Sequence, residues 1–169
     1  LVVSKPTPAD PDTWDWSPAM QAAHDAAPVV YYPDGYEYRH SATIALTLFG
    51  STIVSTSNMY SAATLRYTGT GLAWSTIGAV NYVHVNGAHI TGAPTVITDY
   101  YNTGSTAFDT TDGATSIILQ NAWVSNFQTL VNGNFNSFYN RISGSRLEQF
   151  KDGLLNISAN NLVIDSGTR

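Results

Sequence analysis

The segments Asn-Arg-Ile-Ser-Gly-Ser at residues 140–145 and Asn-Leu-Val-Ile-Asp-Ser at residues 161–166 share a pattern of polar ends around an apolar centre. They lie about 21 residues apart, and Asn-Ala-Trp-Val-Ser-Asn at residues 121–126 precedes them by about the same distance. A recurrence of short strand-like segments near 20 residues is typical of solenoid proteins. Leucine-rich repeats share this period, but the recurrent leucines that they need are absent from the sequence. The recurrence therefore predicts coils of three short strands each.

Towards the N-terminus, short apolar runs continue to alternate with Gly, Asn and Ser. The composition, 43% hydrophobic and 11% charged, is too apolar for a disordered chain and too weakly charged for a typical helical surface. We therefore predict an all-β fold, a right-handed single-stranded parallel β-helix. Residues 93–115 interrupt the rhythm, and we expect them to loop out of its wall.

A helix is predicted near residues 18–27, because an Ala-rich stretch follows Ser17 as a suitable N-cap and Pro18 in the first turn. Residues 1–16, with several prolines and aspartates, are expected to be an extended lead-in. Residues 17–169 are expected to be the N-terminal part of a parallel β-helix domain, in a chain that we interpret as a fragment of a longer protein. The short helix would cap the open end of the first coil, where an uncovered strand edge invites aggregation.

Two motifs in the first 40 residues occur in a recognisable order. Residues 15–27 read Asp-Trp-Ser-Pro-Ala-Met-Gln-Ala-Ala-His-Asp-Ala-Ala, and residues 30–36 read Val-Tyr-Tyr-Pro-Asp-Gly-Tyr. This combination resembles the start of pectate-lyase-like β-helix proteins, a family that includes bacteriophage tailspikes and depolymerases of capsule or O-antigen. Two departures are Ala9-Asp10-Pro11 in place of the usual Gly-Asp-Gly, and Trp16 in place of an Asp. The resemblance implies a fold but carries no catalytic residue to this chain.

Several functional classes are disfavoured by composition. The net charge of -5 and the scattered basic residues argue against a nucleic-acid partner. The sequence has no cysteine, and its four histidines lack metal-ligand spacing, so neither a metal nor another cofactor is expected. No apolar run is long enough to predict insertion into a membrane.

Candidate catalytic residues are Glu148 and Asp165, assisted by Arg146. Paired carboxylates within about 5–9.5 Å can hydrolyse a glycosidic bond. A 21-residue register would place Asp165 above Gly144, roughly 10 Å from Glu148. Arg146 would face the same way as Glu148, where it would hold a substrate carboxylate or keep one of the two acids ionised. The alternative is a solvated edge with an ordinary Arg–Glu contact.

Candidate carbohydrate-binding residues are Asp99, Tyr100, Tyr101 and Trp123. Aromatic rings can stack on sugars, and Asp can accept hydrogen bonds from hydroxyl groups. The alternative is that the tyrosines pack on the wall or on a neighbouring chain, since aromatic residues are enriched in interfaces.

The resemblance implies part of a virion-borne tailspike that binds and depolymerises a bacterial surface polysaccharide, as a glycosidase or a lyase. It also implies a homotrimer for the complete protein. The alternatives are a non-catalytic carbohydrate-binding segment, a structural shaft of the virion, and a secreted pectate-lyase-like enzyme from a bacterium or fungus.

Overall fold

The computed structural model describes residues 14–56, 62–78, 80–94, 100–112, 116–133, 139–157 and 163–168. These residues form one helix, α1 (Ser17–Ala26), and fifteen strands. The strands are β1 (Val29–Tyr31), β2 (Glu37–His40), β3 (Ile44–Leu46), β4 (Ser51–Val54), β5 (Thr64–Tyr67), β6 (Gly71–Thr76), β7 (Tyr82–Asn86), β8 (His89–Gly92), β9 (Asn102–Asp109), β10 (Ser116–Gln120), β11 (Trp123–Ser125), β12 (Phe127–Asn132), β13 (Arg141–Glu148), β14 (Asp152–Leu155) and β15 (Val163–Thr168).

All described strand pairs are parallel, and they build two sheets. The first sheet has ten strands in the order β1-β4-β7-β10-β13-β11-β8-β5-β2, with β15 added beside β13. The second has five strands in the order β14-β12-β9-β6-β3. We call the half from β1 to β13 the first limb, and the half from β13 to β2 the second limb.

The predicted right-handed parallel β-helix is wrong as the fold class. The strands form a curled, half-barrel-like sheet and a second parallel sheet with one helix, which is an α/β-type arrangement rather than a β-helix solenoid. Three strands per coil would give three separate walls. Instead, β13 pairs with β10 through its first half and with β11 through its second half, which joins two walls into one sheet. A turn at Gly144, with φ of 57°, separates the two halves.

The predicted repeat of about 21 residues is also not kept. On the first limb, Val29 pairs with Thr52, and Thr52 pairs with His84. Arg141 pairs with Val163, so the number of residues that separates two paired positions varies along this limb. The segments between strands differ in length, and no constant period survives. Residues 102–109, expected inside a looped-out segment, are strand β9 of the five-stranded sheet.

The interior is built from columns of aligned apolar side chains. Strand alternation turns one residue in two inward, and parallel pairing stacks the inward residues of neighbouring strands. The buried column of the first limb is Val30, Ile53, Val85, Leu119 and Ile142. The corresponding column of the second limb is Tyr38, Leu65, Ile90, Val124 and Leu147. Most apolar runs of the sequence therefore do form strands.

The expected helix is present one residue earlier than predicted, and it packs against β1 and β3. Its first N–H is capped from outside, because Asp15 Oδ1 accepts from the Ser17 amide at 2.9 Å. Gln21 meets the edge of the five-stranded sheet: its Oε1 accepts from the Ala45 amide at 2.7 Å and its Nε2 donates to the Ala45 carbonyl at 3.0 Å. These bonds satisfy backbone groups that an edge strand leaves unpaired.

Two histidines, His24 of α1 and His40 of β2, lie in the aromatic core next to this helix. His24 is hydrogen-bonded to the Tyr32 hydroxyl at 3.0 Å, and its ring centroid lies 5.4 Å from that of Trp74. The ring centroid of His40 lies 5.5 Å from that of Trp74 and 5.1 Å from that of Tyr67. Burial lowers the pKa of both imidazoles from 6.5 to about 4. Both rings are therefore neutral at pH 7.

Acidification is expected to destabilise the fold through these histidines. A group with a lower pKa in the folded state binds fewer protons there than in the unfolded state. The stability that each neutral histidine contributes is therefore fully present above pH 6.5 and is lost as the pH falls towards 4. As the pH falls from about 7.5 to about 5, each buried histidine should lower the free energy of unfolding by about 2 kcal/mol. Urea unfolding of His24→Gln should show a pH dependence weaker by about that amount. A pH dependence of His24→Gln equal to that of the unmutated chain would contradict this account.

Candidate functional site

The side chains of the second limb that lie opposite its buried apolar column form a polar face. They come from positions that alternate with the buried column, and register places them in two rows across the strands. The first row is Glu37, Thr64, His89, Trp123 and Arg146. The second row is Arg39, Arg66, Thr91, Ser125 and Glu148, and its central members Thr91 and Ser125 are buried. We call these two rows the outer face.

Arg146 and Glu148 form an ion pair on this face. Arg146 donates through Nε to Glu148 Oε2 at 2.8 Å, and its Nη2 lies 2.7 Å from the same oxygen. The Glu148 side chain is only 12% exposed and that of Arg146 is 33% exposed, which makes the pair less hydrated than most surface pairs. The predicted proximity of these two residues is observed, and it takes the form of the Arg–Glu contact that was the alternative interpretation.

Asp165 lies away from Glu148. Strand β15 aligns Asp165 with Ser143, not with Gly144 as predicted, because the offset between the paired strands is one residue longer than the expected 21. Ser143 precedes Glu148 by five positions of β13, at most about 16 Å if that stretch were fully extended. The turn at Gly144 also falls between them, so the two carboxylates belong to different limbs. The structure does not bring the proposed catalytic pair together.

Trp123 has neighbours on both faces of its ring. His89 of β8 stacks on it with centroids 4.2 Å apart and an interplanar angle of 16°. The Arg146 guanidinium, from the strand on the opposite side of β11, lies 4.8 Å from the ring centroid. This is a cation–π geometry. Trp123 therefore supports the outer face and positions Arg146, and it does not present a bare ring face to a sugar.

His89 is held in the middle of this arrangement as a neutral ring. Its Nε2 lies 3.4 Å from the Ser125 hydroxyl and its Nδ1 lies 3.5 Å from the Thr64 hydroxyl. Burial, reinforced by the charge of Arg66, lowers the pKa of His89 to about 4. The imidazole thus adds no charge to the outer face at neutral pH.

Tyr100 reaches the same face from the segment that precedes β9. Asn126 donates through Nδ2 to the Tyr100 carbonyl at 2.9 Å and to Gln149 Oε1 at 2.8 Å. Asn126 and Gln149 follow Ser125 and Glu148 directly, and both adopt positive φ, of 62° and 56°. The main chain of Tyr100 is thereby held by Asn126, which also bonds Gln149, while the Tyr100 side chain is 73% exposed. Tyr101 is partly buried, and Asp99 lies outside the described residues.

Sequence reasoning missed several residues of the outer face, namely Glu37, Arg39, Arg66, His89, Asn126 and Gln149. The polar–apolar–polar triplets at 37–39 and 64–66 were the available signal, since such alternation indicates a strand with one outward face. Within the described residues, no group of three His, Asp or Glu side chains is arranged to hold a metal ion. Across the same residues, no helix has the length and apolar character needed to span a membrane.

Trp123→Ala should lower the free energy of unfolding by at least about 2 kcal/mol, because it removes the ring between His89 and Arg146. Tyr100→Ala is the matched aromatic control, and its exposed side chain should change stability by less than about 0.5 kcal/mol. Urea unfolding followed by circular dichroism measures both. Equal, small effects of the two substitutions would show that Trp123 does not support the face.

Comparison with known proteins gives no relative for this chain. No protein-family model matches it, and neither a curated protein nor a solved structure does. Its function is therefore inferred from the side chains and their geometry, together with the resemblance of residues 15–27 and 30–36 to the start of pectate-lyase-like proteins.

Proposed function

We propose that the outer face binds a bacterial surface polysaccharide, in a chain that is part of a phage tailspike. The observation that carries this proposal is the corner at Tyr100. An aromatic side chain that is 73% exposed stands on a main chain fixed by Asn126, whose side-chain amide also donates to the Gln149 amide oxygen. A ring that covers a sugar face, with amide groups nearby to bind hydroxyls, is a suitable combination for a saccharide.

The rigidity of this corner supports binding. Asn126 is held on a third side, because its Oδ1 accepts from the Thr91 hydroxyl at 3.1 Å. The ion pair of Arg146 and Glu148 rests on Trp123, and Trp123 rests on His89. Side chains that are held in place before a ligand arrives lose little conformational entropy on binding. A sugar would therefore meet a largely preformed surface.

Binding is favoured over cleavage as the role of the described residues. Glu37 is the other carboxylate of the outer face, and it lies four strand spacings from Glu148, roughly 19 Å. This separation exceeds the distance at which two carboxylates cooperate in glycoside hydrolysis. Depolymerisation by the complete protein stays a prediction, with its catalytic pair to be sought beyond the outer face.

We also propose that the complete protein is a homotrimer and part of a virion. Exposed apolar side chains on the first limb and its neighbouring turns, including Val29, Tyr31 and Phe49, offer surface for a neighbouring chain. A monomer in light scattering of the complete protein would argue against a trimer, and the same result for this chain alone would not.

Tyr100→Ala should weaken polysaccharide binding about tenfold, which corresponds to about 1.4 kcal/mol. Tyr139→Ala is the matched control, because Tyr139 is 71% exposed and lies before β13 rather than at this corner. The measurement is biolayer interferometry of the immobilised chain against a panel of purified capsular and O-antigen polysaccharides.

Equal binding by both tyrosine variants and the unmutated chain would place the sugar elsewhere. Failure of the unmutated chain to bind any member of the panel would favour a structural shaft. New reducing ends or ultraviolet absorbance of unsaturated sugars, produced by this chain alone, would show that cleavage was wrongly assigned to residues beyond it.

A further inference from the structure

The helix α1 covers one edge of the five-stranded sheet. It packs against β1 and β3, and the Gln21 side chain bonds both the amide and the carbonyl group of Ala45 at that edge. A helix of ten residues is too short to be stable in water by itself, so α1 is helical because it is docked. A short element held mainly by docking opens at a lower free energy than the central strands of a sheet.

The docked face of α1 contains a titratable side chain. His24 is buried on this face together with Met20 and Ala23, whereas Asp25, the other titratable residue of the helix, is exposed. The Nε2 atom of His24 lies 3.0 Å from the Tyr32 hydroxyl, and its Nδ1 atom is buried without a hydrogen-bond partner among the described residues. A neutral imidazole carries a single N–H group, so Nδ1 can stay unprotonated and no buried donor is left unpaired.

Protonation makes this position of His24 unfavourable. An imidazolium has an N–H donor on both nitrogens, and the Tyr32 hydroxyl can accept only the one from Nε2. The Nδ1–H group would be buried without an acceptor, and the charge itself would be buried as well. A protonated His24 is therefore more stable in water than beneath the docked helix.

The groups around His24 do not compensate such a charge. In the described part of the chain, β3 has no titratable side chain and Tyr31 of β1 is exposed. Burial raises the pKa of Tyr32 and lowers that of His40 to about 4, so both are uncharged at mildly acidic pH. The carboxylate of Asp25 accepts a hydrogen bond from Gln21 on the exposed side of the helix, and burial outweighs its attraction for His24.

We propose that α1 is an acid-released cap: protonation of His24 detaches the helix from β3 while the two sheets stay paired. This inference is independent of polysaccharide binding. The N-terminal end of the helix stays attached, because Asp15 accepts hydrogen bonds from the Ser17 amide at 2.9 Å and from the Ser41 hydroxyl at 2.5 Å. Burial alone would raise the pKa of Asp15, but the hydrogen bonds from Ser17 and Ser41 outweigh it and lower the pKa to about 2. The helix therefore unwinds between two fixed ends, Asp15 and the start of β1.

The acid-released cap controls access to the edge of the five-stranded sheet. Release of Gln21 frees the amide and the carbonyl group of Ala45, and such unpaired edge groups are available for pairing with another strand. The pKa of His24 is about 4 in the docked helix and 6.5 for an exposed ring. Because the pKa is lowered in the docked state, docking is fully stabilised above pH 6.5 and weakens as the pH falls towards 4.

Hydrogen exchange of the Ala45 amide, followed by nuclear magnetic resonance, measures this opening, because that N–H donates to Gln21 of the helix. Its protection factor, which is corrected for the intrinsic exchange rate at each pH, should fall about 30-fold between pH 7.5 and pH 5. At pH 5 it should be at least about tenfold lower than that of the Leu119 amide, whose strand β10 is paired on both sides. Low concentrations of urea should not accelerate exchange at Ala45, since local opening exposes little surface.

His24→Gln removes the proposed trigger and keeps a polar side chain next to Tyr32. In this variant the protection factor of Ala45 should change less than about threefold over the same pH range. His40→Gln is the matched control, because His40 is also buried beside Trp74 with a pKa of about 4 but belongs to β2. It should keep the fall of about 30-fold.

Equal protection of the Ala45 and Leu119 amides at pH 5 would show that the helix leaves only when the sheets unfold, and it would overturn the proposal. This comparison uses the unmutated chain, so it decides the matter even if His24→Gln does not fold. An unchanged pH dependence in His24→Gln, or an equal loss of it in His40→Gln, would overturn the assignment of His24 as the trigger. In the unmutated chain, titration of the His24 ring should coincide with the loss of protection at Ala45, and a separate midpoint would count against the same assignment.

Discussion

In-register parallel pairing between strands that are distant in sequence is the constraint on which the rest of this structure depends. From β1 to β10, each strand pairs with a strand that comes later in the chain, after two other strands have intervened. Parallel hydrogen bonding fixes which residue stands beside which, and strand alternation then decides which side chains are buried. A slip of one residue would turn the column of Val30, Ile53 and Val85 to the outside and bring Thr52 and His84 into the core.

The same constraint builds the outer face. Residues that alternate with the buried column of the second limb come into contact although they are 20 to 35 residues apart in sequence. His89, Trp123 and Arg146 stack in strand order, and each makes its neighbour more rigid. If the proposed binding is correct, the side chains that bind are also side chains that stabilise this face. Trp123 contributes mainly through support, while Tyr100, with its ring in solvent, is the residue that is available to a ligand.

The local features could be predicted from the sequence, and the long-range ones could not. The Ala-rich pattern after Ser17 predicted the helix, and the apolar runs predicted most of the strands, because both signals lie within a few neighbouring residues. The union of two limbs through β13 depends on the turn at Gly144 and on partners from two different strands, which no local pattern reveals. The separation of Glu148 from Asp165 follows from the division of β13 between two limbs, and the register one residue longer than the apparent repeat adds to it. The pairing of Arg39 with Arg66 depends on the length of the segment between β2 and β5.

The most direct test of the central claim, that the outer face of the second limb binds a polysaccharide, is a nuclear magnetic resonance titration of the side-chain N–H groups. Fragments of the best-binding polysaccharide are added to the isotope-labelled chain, and the arginine Nε–H and tryptophan Nε1–H resonances are followed. The account predicts saturable shifts for Arg39, Arg66, Arg146 and Trp123, with no shift for Arg141 on the first limb or for Trp74 in the core. Saturable shifts at Arg141 with none at the outer-face arginines would contradict it.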